Sequence, residues 1–367
     1  MRALFAGGGT GGHVFPAIAV AQELRVRRPE ADIVFAGAAQ GVEGELVPRA
    51  GFTFEPLIAK PLLSAGRLKP FMTLLANLPA ALRFVGEWRP EVVLGTGGYA
   101  SAVTVFAAAM HRVPTMLLDF NAIPGRVNRL MAPMVDRLGV SFPQALDLLP
   151  RGKAVLLGTP LRREFRTVSR EQCRAKLGLH ADDVLFLAYG GSQGSRRLNQ
   201  ALWGALRELL RAHPALKVVH LCGQHSLEAA NSRLAELPAA QRDRYTPLDF
   251  VHAMHELIAA SDFALCRAGG GLMELAALGV PMILVPLPNA MDDHQLHNAK
   301  YAAQAGAQIE LDRTLTPATL IPLVELMMNA EVRAVRSRDI RSIARPDAAE
   351  RVCDALLELA RARGEGH

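Results

Sequence analysis

The residues of this chain that carry chemistry are, first of all, glycines grouped at the ends of apolar runs. Gly7-Gly8-Gly9-Thr10-Gly11-Gly12-His13 follows the run Arg2–Ala6 and precedes a helical pattern with Pro16, Ile18, Ala19 and Leu24. Glycine lets a backbone approach an anion closely, and the free N–H groups of a helix start point toward it. Gly7, Gly9 and Gly12 meet the G-x-G-x-x-G spacing of a dinucleotide loop. Such a loop needs an acid about 20 residues on, at the end of the second strand, to hold a ribose hydroxyl. Phe35-Ala36-Gly37-Ala38 stands there instead, which argues against a nicotinamide cofactor. Gly95-Thr96-Gly97-Gly98-Tyr99 and Gly190-Gly191-Ser192-Gln193-Gly194-Ser195 occupy the same place after their own apolar runs. One such loop is as readily a tight turn, but their repetition points to anion binding. None continues into G-K-[ST], so the lysine that grips a terminal phosphate is missing and a nucleoside triphosphatase is disfavoured.

A further loop, Cys266-Arg267-Ala268-Gly269-Gly270-Gly271-Leu272-Met273-Glu274-Leu275, again reads as strand, glycines and helix. Its helix start can face a diphosphate, and Glu274, one turn in, could accept both hydroxyls of a ribose. The alternative use of Glu274 is as an acid complementing the first helical turn. Downstream, His294, Gln295 and Asn298 gather side chains that both donate and accept, as recognition of sugar hydroxyls requires. The His-x-x-His pairs His294/His297 and His252/His255 have metal-ligand spacing, but no third ligand lies nearby in sequence, so no metal is expected.

Short apolar runs alternate with longer helical patterns throughout, the signature of βαβ units in a parallel sheet. Strands are predicted at Arg2–Ala6, 33–36, 92–94, 115–118 and near Leu138, then at Val184–Tyr189, 217–221, Phe263–Cys266 and 282–285. Gly158-Thr159-Pro160-Leu161-Arg162 breaks both periodicities between the two series and marks a domain boundary. Doubly wound sheets bind ligands outside the carboxyl ends of their strands, so a cleft between the halves is expected. The chain's 367 residues, half hydrophobic and 21% charged, exclude a disordered or fibrous protein,. Its net charge of +6 comes without a basic run, which favours an acidic ligand or anionic surface and does not require nucleic acid,. The cysteines, Cys173, Cys222, Cys266 and Cys353, form no C-x-x-C pair, which fits a reducing cytoplasm,. No window reaches the ~18 unbroken apolar residues of a spanning helix, and no signal peptide opens the chain, so it is expected neither to be secreted nor to cross a membrane.

Taken in order, Gly8-Gly9-Thr10-Gly11-Gly12-His13, Gly95-Thr96-Gly97-Gly98-Tyr99, Gly158-Thr159-Pro160-Leu161-Arg162, Gly190-Gly191-Ser192-Gln193-Gly194, Arg267-Ala268-Gly269 with Glu274, and His294-Gln295 with Asn298 resemble the MurG family of bacterial peptidoglycan glycosyltransferases. The likeness runs from residue 1 to the last helix. It implies an α/β GT-B glycosyltransferase fold, two Rossmann-like doubly wound domains with an interdomain cleft. An acceptor- and membrane-facing domain would span 1–160 and a UDP-sugar-binding domain 161–345. The remainder, 346–367, would cross back to the first domain as a helix over 348–362. The implied reaction is inverting transfer of N-acetylglucosamine from UDP-N-acetylglucosamine to the C4 hydroxyl of undecaprenyl-diphosphate-linked N-acetylmuramoyl-pentapeptide, at the cytoplasmic face of the inner membrane. No cofactor or metal is implied.

Carried onto this sequence, the family's donor-binding positions are Thr10, Gly11, Gly12, Asn121, Arg162, Ser192, Val251, Gly269, Gly270, Gly271, Glu274, His294, Gln295 and Asn298. Gly9, Gly97, Gly98 and Tyr99 fall in the acceptor diphosphate loops, and His13 and Asp119 are the catalytic candidates. An inverting displacement is one in-line step, so it needs a base for the acceptor hydroxyl and positive potential for the departing UDP. An unperturbed imidazole titrates near pH ~6.5, which suits His13 to the first task, although a helix-start histidine can also simply bond its own loop. Asp119 is the alternative base or an orienter of the acceptor. Backbone N–H groups at helix starts, with Ser192 and Arg162, would meet the leaving-group charge.

Two positions depart from the family pattern. The stretch from Arg267 to Glu274 is one residue shorter, with Gly270-Gly271 where a Thr is usual, and Asp119-Phe120 stands where Glu-Gln is usual. Two other readings share the fold: a non-hydrolysing UDP-N-acetylglucosamine 2-epimerase, and a catalytically inactive UDP-sugar-binding relative. A lipid-linked acceptor requires peripheral contact with an anionic membrane surface. Residues 60–89 are the candidate, because Phe71, Leu74, Leu75, Leu78, Leu82 and Val85 recur at helical spacing among Lys60, Arg67, Lys69, Arg83 and Arg89,. A core helix with a charged rim has the same periodicity.

Overall fold

Apolar runs without polar alternation belong on strands buried on both faces, the pattern of a parallel sheet covered by helices. The computed structural model describes residues 1–58, 69–191 and 193–364. The chain divides into two units, Met1–Arg163 with Arg345–His367, and Glu164–Ala344. The first holds seven strands: β1 (Arg2–Ala6), β2 (Asp32–Ala38), β3 (Thr53–Ile58), β4 (Val92–Gly95), β5 (Thr115–Asp119), β6 (Arg137–Val140) and β7 (Ala154–Leu156). They lie parallel in the order β3-β2-β1-β4-β5-β6-β7. The second holds six: β8 (Val184–Tyr189), β9 (Leu216–Leu221), β10 (Tyr245–Leu248), β11 (Phe263–Cys266), β12 (Met282–Leu284) and β13 (Gln308–Ile309). These too are parallel, in the order β10-β9-β8-β11-β12-β13. The strand order reverses between β1 and β4 in one sheet and between β8 and β11 in the other. Crossovers leave on opposite faces at such a point and open a crevice at the carboxyl ends of the strands.

Every strand expected from the sequence forms. The four that were not expected, β3, β7, β10 and β13, are the edges of the two sheets. An edge strand has one neighbour and one solvated side, so it carries no continuous apolar run; Thr53 and Glu55 in β3 and Gln308 in β13 show this directly,.

The helix Gly11–Arg27 buries Val14, Ala17, Ile18, Val20, Ala21 and Leu24 against Phe5 and Phe35 of the first sheet. The last helix, Ala348–Gly364, returns to that core, where Val352, Cys353, Ala355 and Leu356 pack among the same residues. Ion pairs from Arg27 to Asp354 and from Arg137 to Glu358 flank it. The chain therefore leaves the first unit and comes back to complete it. All four cysteines are free and buried.

Of the segment 60–89, Lys60 and Arg67 lie outside the described residues, as do the side chains of Lys69, Phe71, Leu74 and Leu75. In the described part of the helix Lys69–Trp88, Ala81 and Val85 are buried, and Leu78 and Leu82 pack against the same core. That half uses its apolar stripe inward, while Arg83 and Arg89 are exposed. Among the described residues no helix is long and apolar enough to cross a membrane.

Leu356 is fully buried between the last helix and the first sheet. Leu356→Ala should lower the stability of the first unit by about 2–5 kcal/mol. Hydrogen exchange should show faster opening in β1, β2 and the helix Gly11–Arg27, with residues 164–344 unaffected.

Candidate active site

β1 and β4 end side by side, and each runs into glycines. Thr96, fully buried, joins the two loops: its N–H donates to Ala6 O at 2.8 Å and its hydroxyl to His13 O at 2.8 Å. No side chain fits between them. A Cβ at Gly7 would stand 2.0 Å from Thr96 Oγ1, and one at Gly98 would stand 3.0 Å from Gly8 O. Gly97 and Gly98 also have φ of 102° and 80°, where a side chain is strained,. The His13 ring packs against this pair, 3.2 Å from where a Cβ on Gly97 would be, with Nδ1 3.2 Å from Gly8 O. A carbonyl only accepts, so the neutral ring carries its proton on Nδ1 and keeps a lone pair on Nε2.

An acid fills this first loop from behind. Glu43, 1% exposed, opens the helix Glu43–Arg49, and its Oε2 accepts from Gly9 N–H at 3.1 Å while Oε1 accepts from Ala38 N–H at 2.9 Å. Three neighbouring glycines make room for it: a Cβ would come within 2.1 Å of the carboxylate at Gly8 and 2.2 Å at Gly41, and within 2.7 Å of Cγ at Gly37. In front of the loop, Thr10 and Gly12 are exposed and Gly11 half-buried, so the first N–H groups of the helix Gly11–Arg27 face outward. Tyr99 opens the helix Gly98–Met110 after the second loop; its side chain lies outside the described residues.

Asp119, at the end of β5, is buried and fully engaged. Its Oδ1 accepts from Asn121 N–H at 3.0 Å, and its Oδ2 from Gly125 N–H at 2.8 Å and Asn128 Nδ2 at 2.8 Å. Burial raises its pKa, against which these bonds, and His13 whenever its ring is protonated, pull downward,. The carboxylate thus shapes the loop that carries half-buried Asn121. Arg162 lies with its guanidinium 4.3 Å above the Phe15 ring,.

In the second unit, β8, β9, β11 and β12 end together. The loop after β8 locks onto the end of β9: a Cβ at Gly194 would stand 2.1 Å from Cys222 O, and one at Gly223 2.7 Å from Gln193 O. Ser195 caps the helix Arg196–Ala212 and accepts at 2.6 Å from Arg267 Nη2. Arg267 also donates to Val285 O at 3.1 Å and pairs with Asp312 at 2.7 Å, so it ties three loops together. Behind it, buried His220 bonds Tyr245 Oη and Asn199 Oδ1, each at 3.0 Å, and Asn199 donates to Cys222 O at 2.9 Å. Burial drives the His220 pKa down to about 3,.

The Arg267 loop continues into the helix Gly271–Leu278, with Gly270 exposed and Gly269 half-buried at its start. Gly271 abuts the Tyr189 hydroxyl, 2.9 Å from where its Cβ would be. Burial, then the charges of Cys266 and Glu274, push that phenol well above its usual range, and Glu274 itself is half-buried. Gln295 Oε1 accepts from Leu287 N–H at 2.9 Å, and its Nε2 lies 3.7 Å from where a Cβ on Gly269 would be. His294 Nδ1 bonds Met291 O at 2.8 Å, while Asn298, 1% exposed, donates to Ala268 O at 3.0 Å. Asp292 and Asp293 precede them with φ of 54° and 50°, a pair of left-handed non-glycine residues held by the turn,. Val251 is half-buried beside exposed Phe250. Ser192 lies outside the described residues.

Residues 3–140 match the glycosyltransferase family 28 N-terminal domain and residues 185–352 its C-terminal domain. This chain belongs to glycosyltransferase family 28. It is 34% identical, over 98% of its length and 99% of the relative's, to the UDP-N-acetylglucosamine–N-acetylmuramyl-(pentapeptide) pyrophosphoryl-undecaprenol N-acetylglucosamine transferase of Desulforudis audaxviator. Among solved structures it is similar to Acinetobacter baumannii MurG, at 28% identity and a TM-score of 0.76, covering 97% of this chain and 99% of that one. The UDP-N-acetylglucosamine 2-epimerase of Neisseria meningitidis superposes with a TM-score of 0.70 over 98% of this chain and 100% of that one, but at 14% identity, which shows the fold alone. The GT-B architecture and the likeness to the MurG family therefore hold along the whole family 28 chain.

Sequence reasoning missed two residues that hold these loops. It looked for an acid at the end of β2 and found none, yet Glu43 arrives five positions after Ala38 and binds the glycine loop itself. Its signal was the glycine pair Gly37 and Gly41 just before an acid, spacing that leaves room for a buried carboxylate. Arg267 was read only as part of a motif, and its partners are too distant in sequence to be foreseen. Among the described residues no group of three His, Cys, Asp or Glu could hold a metal.

His220 stays neutral in the fold but titrates near pH ~6.5 once unfolded. Its depressed pKa means that unfolding takes up a proton between pH 6.5 and about 3, so the second unit loses up to about 1.4 kcal/mol per pH unit as pH falls through that window,. An NMR titration should find the His220 ring neutral at pH 5; a midpoint near 6 would remove this contribution.

Proposed function

We propose that this chain transfers N-acetylglucosamine from UDP-N-acetylglucosamine to the C4 hydroxyl of the N-acetylmuramoyl-pentapeptide unit on undecaprenyl diphosphate, with inversion at the anomeric carbon. The observation that carries the reading is identity of 34% across 98% of the chain to a transferase of that specificity. In the step itself the acceptor oxygen bonds to the anomeric carbon, the bond to UDP breaks, and the acceptor proton passes to a base. His13 is that base, because its Nδ1 faces the Gly8 carbonyl, which leaves Nε2 as the basic nitrogen of the neutral ring,. Asp119, bonded to three donors, is better suited to shaping the Asn121 loop and to favouring the imidazolium as it forms,. The first unit carries the acceptor groups and the second the nucleotide.

For the nucleotide, the helix starts at Arg196 and Gly271 offer N–H groups to the departing diphosphate. Glu274 takes the ribose hydroxyls, His294 and Gln295 the sugar hydroxyls, and Asn298 holds the loop through Ala268. An epimerase would share the fold and the donor but need no lipid acceptor, and the epimerase structure that superposes at 14% identity supports the fold alone. Incubation with labelled UDP-N-acetylglucosamine and the lipid-linked acceptor should give a lipid-linked disaccharide; UDP-N-acetylmannosamine or no product would reject the proposal. In the same assay His13→Ala should lower kcat by about 10²- to 10⁴-fold with donor affinity nearly intact. Near-normal turnover would pass the role of base to Asp119.

An acceptor anchored by a polyprenyl chain requires the enzyme at the headgroup plane, and we place it peripherally on the cytoplasmic face, with residues 60–89 touching anionic lipid. The support is the cluster of Lys60, Arg67 and Lys69 ahead of the core-packed half of the helix Lys69–Trp88. Each well-placed cation is worth up to about 1 kcal/mol near such a surface and is screened by salt. Co-sedimentation should show binding to anionic but not neutral vesicles, weakening with salt and on replacing Arg67 and Lys69 by Glu. Equal binding to neutral vesicles, or none to either, removes this segment as the docking surface.

A further inference from the structure

The peptide group joining Gly8 to Gly9 is held at both ends. Its N–H donates to Glu43 Oε2 at 3.1 Å, and its carbonyl faces His13 Nδ1 at 3.2 Å. We propose that Glu43 is a positioning residue for His13, acting through this one peptide group as a carboxylate–peptide–histidine relay. A carboxylate accepting a peptide N–H polarises the amide and makes its carbonyl a stronger acceptor, since hydrogen bonds in a chain reinforce one another away from water. The stronger acceptor keeps the imidazole proton on Nδ1 and the lone pair on Nε2, the form a base needs.

The surroundings are built for this carboxylate. It is 1% exposed, its oxygens accept one backbone N–H from the glycine loop and one from the end of β2, and Gly8, Gly37 and Gly41 leave it the space a Cβ would take. It also engages Gly9 N–H from inside the protein. The first glycine loop, which reads in the sequence as an anion cradle, thus already holds an anion of its own at that group, and its task is to hold the histidine. This inference rests on the reading of His13 as base for its effect on rate, but not for its effect on the tautomer.

Glu43→Gln keeps the size of the side chain but replaces one carboxylate oxygen with an amide donor. Ring ¹⁵N shifts of His13 should report the Nδ1–H form in the wild type and a mixture with Nε2–H in Glu43→Gln. Turnover should fall about 10- to 100-fold, the usual cost of losing an orienting partner, with KM for UDP-N-acetylglucosamine unchanged. Combined with His13→Ala, Glu43→Gln should cause no further loss, because the two act as one unit. Should Glu43→Gln not fold, Glu43→Asp, which keeps the charge but withdraws it by about one bond length, gives the same readouts at intermediate size. An unchanged tautomer, or a rate loss that adds to that of His13→Ala, overturns the relay. A shifted tautomer with turnover unaffected in both Glu43→Gln and His13→Ala leaves the relay standing and rejects His13 as the base.

Discussion

The glycine-loop end of the first sheet depends on how closely two loops approach where the strand order reverses. Thr96 bonds both Ala6 and His13, and a single methyl at Gly7 or Gly8 would collide with Thr96 or with Glu43. Parallel strands in register bring the ends of β1 and β4 level, with Ala6 opposite Gly95. Two loops leaving adjacent strands at the same height must share the space above them, and glycine is the only residue that lets both backbones into it. The His13 ring, the Gly97-Gly98 turn and the buried Glu43 carboxylate are each placed by that approach.

The second unit solves the same problem with a side chain instead. Arg267 reaches Ser195, Asp312 and the backbone of Val285, so one guanidinium sets the relative positions of the loops after β8, β11 and β12. Its planar fork of donors suits it to hold several acceptors at once. His220, neutral and fully buried, supports the loop after β9 through Asn199. Most of the polar residues at this end are engaged with backbone, so the loops that would face a nucleotide are held in place before any ligand arrives, and little ordering cost is left for binding.

The interior strands, the glycine loops and the helix that follows each were legible in the sequence, because a strand buried on both faces must be apolar throughout and a loop against another backbone must be glycine. The edge strands β3, β7, β10 and β13 were not, since each is solvated on one side and carries no such run. The apolar stripe from Leu78 to Val85 was legible as a stripe, but whether it met a core or a membrane was not, for both ask for the same periodicity.

Residue types and spacing alone thus determined the doubly wound class, the position of each loop after its strand, and His13, Glu274 and Gln295 as candidates. Only the tertiary structure decided how each was used. Asp119 is bonded within its own loop and to Asn128 just beyond it, Asn298 ties its helix to the loop after β11, Arg267 is a tie between loops, and Glu43, which the sequence did not single out, lies buried against the glycine loop. The physical reason is that a polar side chain's partner is set by which strand ends are neighbours, and that neighbourhood exists only once β1 lies beside β4 and β8 beside β11.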